Sequence, residues 1–184
     1  MRKQTQLLCY CALLCALIIL STVLFRFTIP GTDVMITLQT LFVFLCGQLL
    51  PVRYCLYTTI AYLLAGLIGL PVFSAVCGPA VIVTPSFGYL LAFPVAASVC
   101  SVVRQKYAAK KGSRYAASLC GIVVMYLIAM SYVWLLSKWY MDAAISPGTL
   151  LTSYMLIFLP LDVLKGIFAA WLGQRMHKLS LRLG

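Results

Sequence analysis

Asp162 and Lys165 stand three residues apart inside Tyr154–Leu172, a run that is otherwise apolar and long enough to cross a bilayer. An ionisable side chain at the centre of a membrane helix costs about 2.5–3.5 kcal/mol on insertion scales, so such residues are rare and serve a site or a partner. At i, i+3 spacing both lie on one face of a helix. One acceptor and one cation on one face can grip a small ligand that carries both N–H groups and a carboxylate. The other reading of the same pair is a self-satisfied salt bridge that locks the helices together.

The elements that must position this pair follow from composition. Of 184 residues, 64% are hydrophobic and 9% charged, against about 25% charged in soluble domains. The chain is an integral membrane protein with almost no room for a soluble domain. It contains no Glu and no Asn, and its carboxylate side chains are Asp33, Asp142 and Asp162. A paired-Glu hydrolytic site is excluded, as is Asn-linked glycosylation. No phosphate-cradling Gly-x-x-x-x-Gly-Lys-Ser/Thr run occurs, so any active transport must draw its energy from another polypeptide. The eight cysteines fall mostly in apolar runs with no Cys-x-x-Cys pair, and the lone His177 is in a basic tail. No metal site, no cofactor and no enzymatic activity are expected.

Six apolar segments can be marked: Leu7–Phe25, Val34–Leu50, Tyr54–Phe73, Phe87–Val103, Tyr115–Leu136 and Thr149–Gly173. The second and fourth are short for a crossing helix, and the third contains Gly66, Gly69 and Pro71. These three are expected to be re-entrant, broken or bent beside a pocket, because irregular backbone at membrane depth needs protein or a cavity to cover it. The first segment follows Arg2 and Lys3 but lacks a small-residue cleavage site, so it reads as a retained helix.

Charge then sets orientation. Eleven of the fourteen basic residues fall on one side: Arg2, Lys3, Arg53, Arg104, Lys106, Lys110, Lys111, Arg114, Arg175, Lys178 and Arg182. Arg26 and Lys138 fall on the other, and Lys165 lies within the membrane. The net charge of +11 therefore encodes topology, with both termini cytoplasmic and six crossings, rather than nucleic-acid binding. Outside lie 28–33, 77–85 and 138–148, with turn signals at Pro30-Gly31 and Gly78-Pro79. No internal repeat is apparent, which argues against inverted-repeat secondary transporters.

Several short motifs accompany the charged pair. Segment two reads Ile36-Thr37-Leu38-Gln39-Thr40-Leu41, polar groups that must find partners in lipid. Read as interhelical glue, each such bond is worth about 0.6 kcal/mol. Segment three ends Gly69-Leu70-Pro71-Val72-Phe73, and segment four opens with Thr84–Pro94, which includes Gly88 and Tyr89. Glycine permits close backbone approach, and Tyr89 offers a flat ring with a hydroxyl.

In this order and spacing the motifs resemble the BioY family, the biotin-specific S components of energy-coupling factor (ECF) transporters. The resemblance spans most of the chain. It implies one transmembrane substrate-binding domain over residues 1–184, all-α, with six transmembrane helices in the S-component fold. It also implies an outward-facing biotin pocket, a bacterial cytoplasmic-membrane location, and partnership with a transmembrane coupling subunit and two ATPase subunits. Ala12 and Ala16 match the Ala-x-x-x-Ala pattern by which S components meet the coupling subunit. Small residues at this spacing also serve ordinary packing inside a bundle. The substrate-binding set on this reading is Thr37, Gln39, Phe73, Gly88, Tyr89, Asp162 and Lys165. Biotin carries a carboxylate for Lys165 and ureido N–H groups for Asp162, an assignment that can be exchanged. Ser74–Ala80 departs from the Gly-rich stretch usual after Pro-Val-Phe, and Phe87-Gly88 from the usual Gly-Gly. The alternatives are an ion-coupled secondary transporter of a small carboxylated solute, with Asp162 as its proton site, and an S component for another vitamin.

Overall fold

The computed structural model describes residues 2–28, 35–74, 76–110, 112–139 and 155–183. Asp33, Asp142 and most of the outer loops expected at 28–33 and 138–148 lie outside the described residues. Six α-helices are present among the described residues: α1 (Arg2–Leu24), α2 (Gln39–Leu49), α3 (Val52–Leu67), α4 (Phe87–Lys106), α5 (Ser113–Trp139) and α6 (Leu159–Leu183). A two-stranded antiparallel ribbon, β1 (Arg26–Thr28) with β2 (Met35–Thr37), joins α1 to α2, with Arg26 opposite Thr37. The sequence reading did not anticipate these strands. A single 3₁₀ helix, Pro79–Val83, lies between α3 and α4.

The helix boundaries follow from Pro and Gly. α2 is only 11 residues long. Leu50 precedes Pro51 and is extended (φ −96°, ψ 151°), because the proline ring crowds a helical residue before it. Pro51 then caps α3. α3 stops at Leu67, and Gly69 takes φ +102°, a left-handed conformation that glycine adopts without strain. The expected irregularity of segments two and three is therefore present, as a short helix and an early stop. Segment four differs from expectation: α4 is a continuous 20-residue helix with Pro94 inside it. Arg104 and Lys106 lie in its last turn.

α2 is the centre of the bundle. It contacts each of the other five helices, and most of its residues are buried. Backbones approach closely at glycines, as membrane helices do. A Cβ at Gly47 would stand 2.8 Å from the Ala97 carbonyl, and one at Gly121 would stand 2.8 Å from the Phe44 ring. The outer surface inverts the soluble pattern. Leu13 and Leu20 of α1, Val123 and Leu127 of α5, and Leu164 and Phe168 of α6 are all exposed, as lipid contact requires. α1, α4 and α5 are long and apolar enough to cross a membrane. Cation–aromatic pairs mark both ends of the bundle. Lys138 lies over Trp134 (5.4 Å) at one end, and Arg175 over Trp171 (5.4 Å) and Lys110 over Tyr107 (5.4 Å) at the other, in keeping with interfacial aromatic belts.

Candidate functional site

Asp162 sits in the first turn of α6 and is 5% exposed. Its Oδ1 accepts hydrogen bonds from Thr40 Oγ1 of α2 (2.9 Å) and from Lys165 Nζ (2.9 Å). Its Oδ2 accepts from Tyr126 Oη of α5 (2.7 Å). One carboxylate thus joins three helices, and its charge is met by a cation and two hydroxyls. The i, i+3 geometry is realised as a salt bridge. The two readings of the pair coexist, because the bridged Asp162 and Lys165 also line a cavity.

That cavity encloses about 610 Å³ of empty space, counting its open mouth. Its walls combine Asp162 and Lys165 with Thr37, Thr40 and Gln39, and with rings from Phe73, Tyr89, Phe93 and Phe158. Apolar surface with a few convergent polar groups is the usual make-up of such a pocket.

Each wall is fixed by its own local cause. Gln39 opens α2, and its Nε2 donates to Tyr62 Oη (2.7 Å), which in turn donates to the Val72 carbonyl (3.0 Å). Thr37 Oγ1 makes a long contact of 3.5 Å to Gln39 Oε1. Phe73 follows the Gly69–Pro71 turn and folds back over α3. A Cβ at Gly66 would fall 2.0 Å from the Phe73 ring, so only glycine leaves room for it. The Gly78 N–H donates to the Gly66 carbonyl (2.7 Å), which ties the loop to the helix end. The Tyr62 and Phe73 rings meet edge to face (5.4 Å), as do Tyr89 and Tyr126 (5.8 Å). Tyr132 Oη donates to the Ile82 carbonyl, which holds the 3₁₀ turn against α5.

Six of the seven residues expected at the site, Thr37, Gln39, Phe73, Tyr89, Asp162 and Lys165, do line the cavity. Gly88 does not line it. Its open side faces α5, where an added Cβ would meet the Ala129 carbonyl and Tyr132 Cβ at 3.0 Å each. It brings α4 and α5 together rather than opening the wall. Ala12 and Ala16 are exposed on the outer face of α1, so packing inside this bundle does not account for them. Thr40, Tyr62 and Tyr126 were missed. Thr40 stood in a quoted motif, whereas Tyr126 is one tyrosine in a long apolar helix with no local signal.

The model of the BioY family matches residues 1–182. The chain belongs to the BioY family. A probable biotin transporter BioY of Lysinibacillus sphaericus is 29% identical over 151 residues, covering 82% of this chain and 77% of the relative. The biotin transporter BioY of Thermotoga maritima is 33% identical over 157 residues, covering 83% and 86%. The crystal structure of the S-component for biotin from an ECF-type ABC transporter superposes with a TM-score of 0.82 at 26% identity, covering 96% of this chain and 93% of that one. This BioY-family chain is thus an all-α membrane protein with the six-helix S-component fold.

Proposed function

We propose that the chain is a high-affinity biotin-binding subunit for biotin uptake, energised by a separate coupling subunit with two ATPases. The observation that carries the reading is the bridged Asp162–Lys165 pair in the wall of an aromatic-lined cavity. Lysine has three N–H donors, and Lys165 uses one on Asp162. Two remain for a ligand carboxylate, in charge-assisted bonds roughly twice as strong as neutral ones. The Asp162 carboxylate has about four lone-pair sites, three of them occupied. The fourth suits one ureido N–H. Gln39 presents an amide whose orientation Tyr62 fixes, and Phe73, Tyr89, Phe93 and Phe158 enclose an apolar bicyclic ring.

The whole chain forms one substrate-binding domain. Both termini are cytoplasmic, supported by the basic residues at that end and the Lys138–Trp134 pair at the other. Ala12 and Ala16 form the face that meets the coupling subunit, supported by their exposure on α1. Equilibrium titration of purified protein with labelled biotin tests the reading, beside uptake in cells with and without the coupling module. Saturable binding and module-dependent uptake are expected. Absence of binding removes biotin as the ligand. Uptake that follows a proton gradient without the module favours a secondary transporter.

A further inference from the structure

A second cavity lies at the other end of α2. It holds about 600 Å³ counting its mouth. Its apolar wall comes from Leu7 and Tyr10 of α1, Leu49 of α2 and Met176 of α6, and its polar wall from Arg104 and Arg114. Both guanidinium groups are fixed against the C-terminal carbonyls of α2. Arg104 donates through Nε to Gly47 (3.1 Å) and through Nη2 to Leu50 (3.1 Å). Arg114 donates through Nη1 to Gln48 (3.1 Å). The buried Gln48 side chain returns bonds to the Arg114 carbonyl (2.7 Å) and to Ser118 Oγ (3.0 Å).

Carbonyl dipoles position these two cations but do not neutralise them. Asp162 is the one acidic side chain among the described residues, and it is committed at the far end of α2. Asp33 and Asp142 belong to segments that the sequence assigns to the opposite side. A guanidinium has five N–H donors, so each arginine keeps several for an anion. The cavity sits by the C-terminal end of α2, the last turn of α4 and the first turn of α5, with an apolar wall beside the charges. Basic pockets between membrane helices on the cytoplasmic side suit anionic headgroups, and arginine suits phosphate oxygens in particular.

We propose that this cavity binds the phosphate of an anionic phospholipid of the cytoplasmic leaflet, with the lipid's apolar portion against Leu7, Tyr10, Leu49 and Met176. The leaflet rests on the topology proposed above; the anion site rests on the two arginines.

The test uses the full chain in neutral detergent. Its thermal unfolding is followed with added phosphatidylglycerol, with phosphatidylcholine and with inorganic phosphate, and biotin is titrated in parallel. Phosphatidylglycerol is expected to raise the Tm above the value in phosphatidylcholine, with phosphate alone giving no comparable shift. Arg104→Gln with Arg114→Gln should abolish the difference. Because those arginines also cap α2, Met176→Trp is the companion variant: it fills the cavity while leaving the caps intact, and should likewise erase the lipid preference with biotin binding unchanged. Equal shifts with both lipids in the wild type overturn the proposal. So does an equal shift with free phosphate, which would make the site one for a soluble anion. A preference that survives Met176→Trp while the double arginine variant loses the coupling subunit assigns the arginines to a protein partner instead. Accessibility labelling that puts this end outside overturns the leaflet. Lipid preference without biotin binding retains the anion site and removes the biotin reading.

Discussion

At the N-terminal end of α2, Gln39 and Thr40 border a cavity whose acid is held by a cation and two hydroxyls. At its C-terminal end, Gly47, Gln48 and Leu50 offer carbonyls to two guanidinium groups, and no described acid answers them. The first arrangement is internally neutral. It can stand within the membrane because its charges cancel over a single hydrogen-bond length. The second is a net cation, and it is tolerable because the arginines lie in end turns of α4 and α5, within reach of the interface. The same short helix thus carries a closed circuit at one end and an open one at the other.

The strongest way to break this comparison is to remove the acid alone. Asp162→Leu strands Lys165 and leaves the Thr40 and Tyr126 hydroxyls without their acceptor. A loss of about 3–5 kcal/mol in unfolding free energy is expected, the usual cost of breaking a buried pair. Lys165→Met should cost less, because Thr40 and Tyr126 still hold the carboxylate. Asp162→Leu combined with Lys165→Met should recover most of the stability and none of the biotin affinity. Chemical unfolding and biotin titration of the three variants check this; wild-type affinity in a folded double variant takes the pair out of the site.

Tyr126→Phe sharpens the neutral end. It keeps the ring contact with Tyr89 and deletes only the bond to Oδ2. Hydrogen bonds to charged groups contribute about 1.5–3 kcal/mol, so a stability loss in that range is expected, together with weaker biotin binding. An unchanged melting curve would mean that Thr40 and Lys165 satisfy Asp162 without it.

Gly66→Ala acts on the cavity wall without touching a polar group. The new methyl would collide with the Phe73 ring, and overpacking of this kind costs about 1–3 kcal/mol. Biotin affinity should fall because Phe73 leaves the wall. Gly166→Ala is the control, since its Cβ meets the tip of the flexible Ile122 side chain instead. Equal affinity in both variants would show that Phe73 is dispensable.

The smallest expected change in stability concerns α1. Ala12→Leu and Ala16→Leu enlarge exposed residues and should alter unfolding by no more than about 0.5 kcal/mol. Biotin binding in membranes should persist while module-driven uptake slows, because a larger side chain holds a partner helix away. Normal uptake in both variants would move the docking face elsewhere.

What the sequence revealed depended on contrast. Asp162 and Lys165 stood out because charge is conspicuous in an apolar run. Thr37 and Gln39 were marked as polar groups in an apolar run, and Phe73 and Tyr89 by motifs that contain prolines and glycines. Gly88 faces α5 instead of the cavity: a glycine shows that something comes close but not from which side. Tyr126 was invisible because its role depends on how α5 is rotated relative to α6, a property of packing. Arg104 and Arg114 were read as loop charges. Their place in helix end turns, aimed at the carbonyls of α2, could not be seen until the extent of α4 and the start of α5 were known.

The brevity of α2 has an electrical consequence. Eleven residues rise about 16 Å, roughly half of a hydrocarbon layer about 30 Å thick. Water filling the cavities at its two ends would come within that distance, and much of a transmembrane voltage would then fall across α2 itself. Moving one elementary charge through the full potential is worth about 2.3 kcal/mol per 100 mV. A solute bearing one carboxylate and carried inward past α2 climbs an inside-negative potential over this short span. The Asp162–Lys165 pair is a neutral ion pair and adds no net charge to offset that climb.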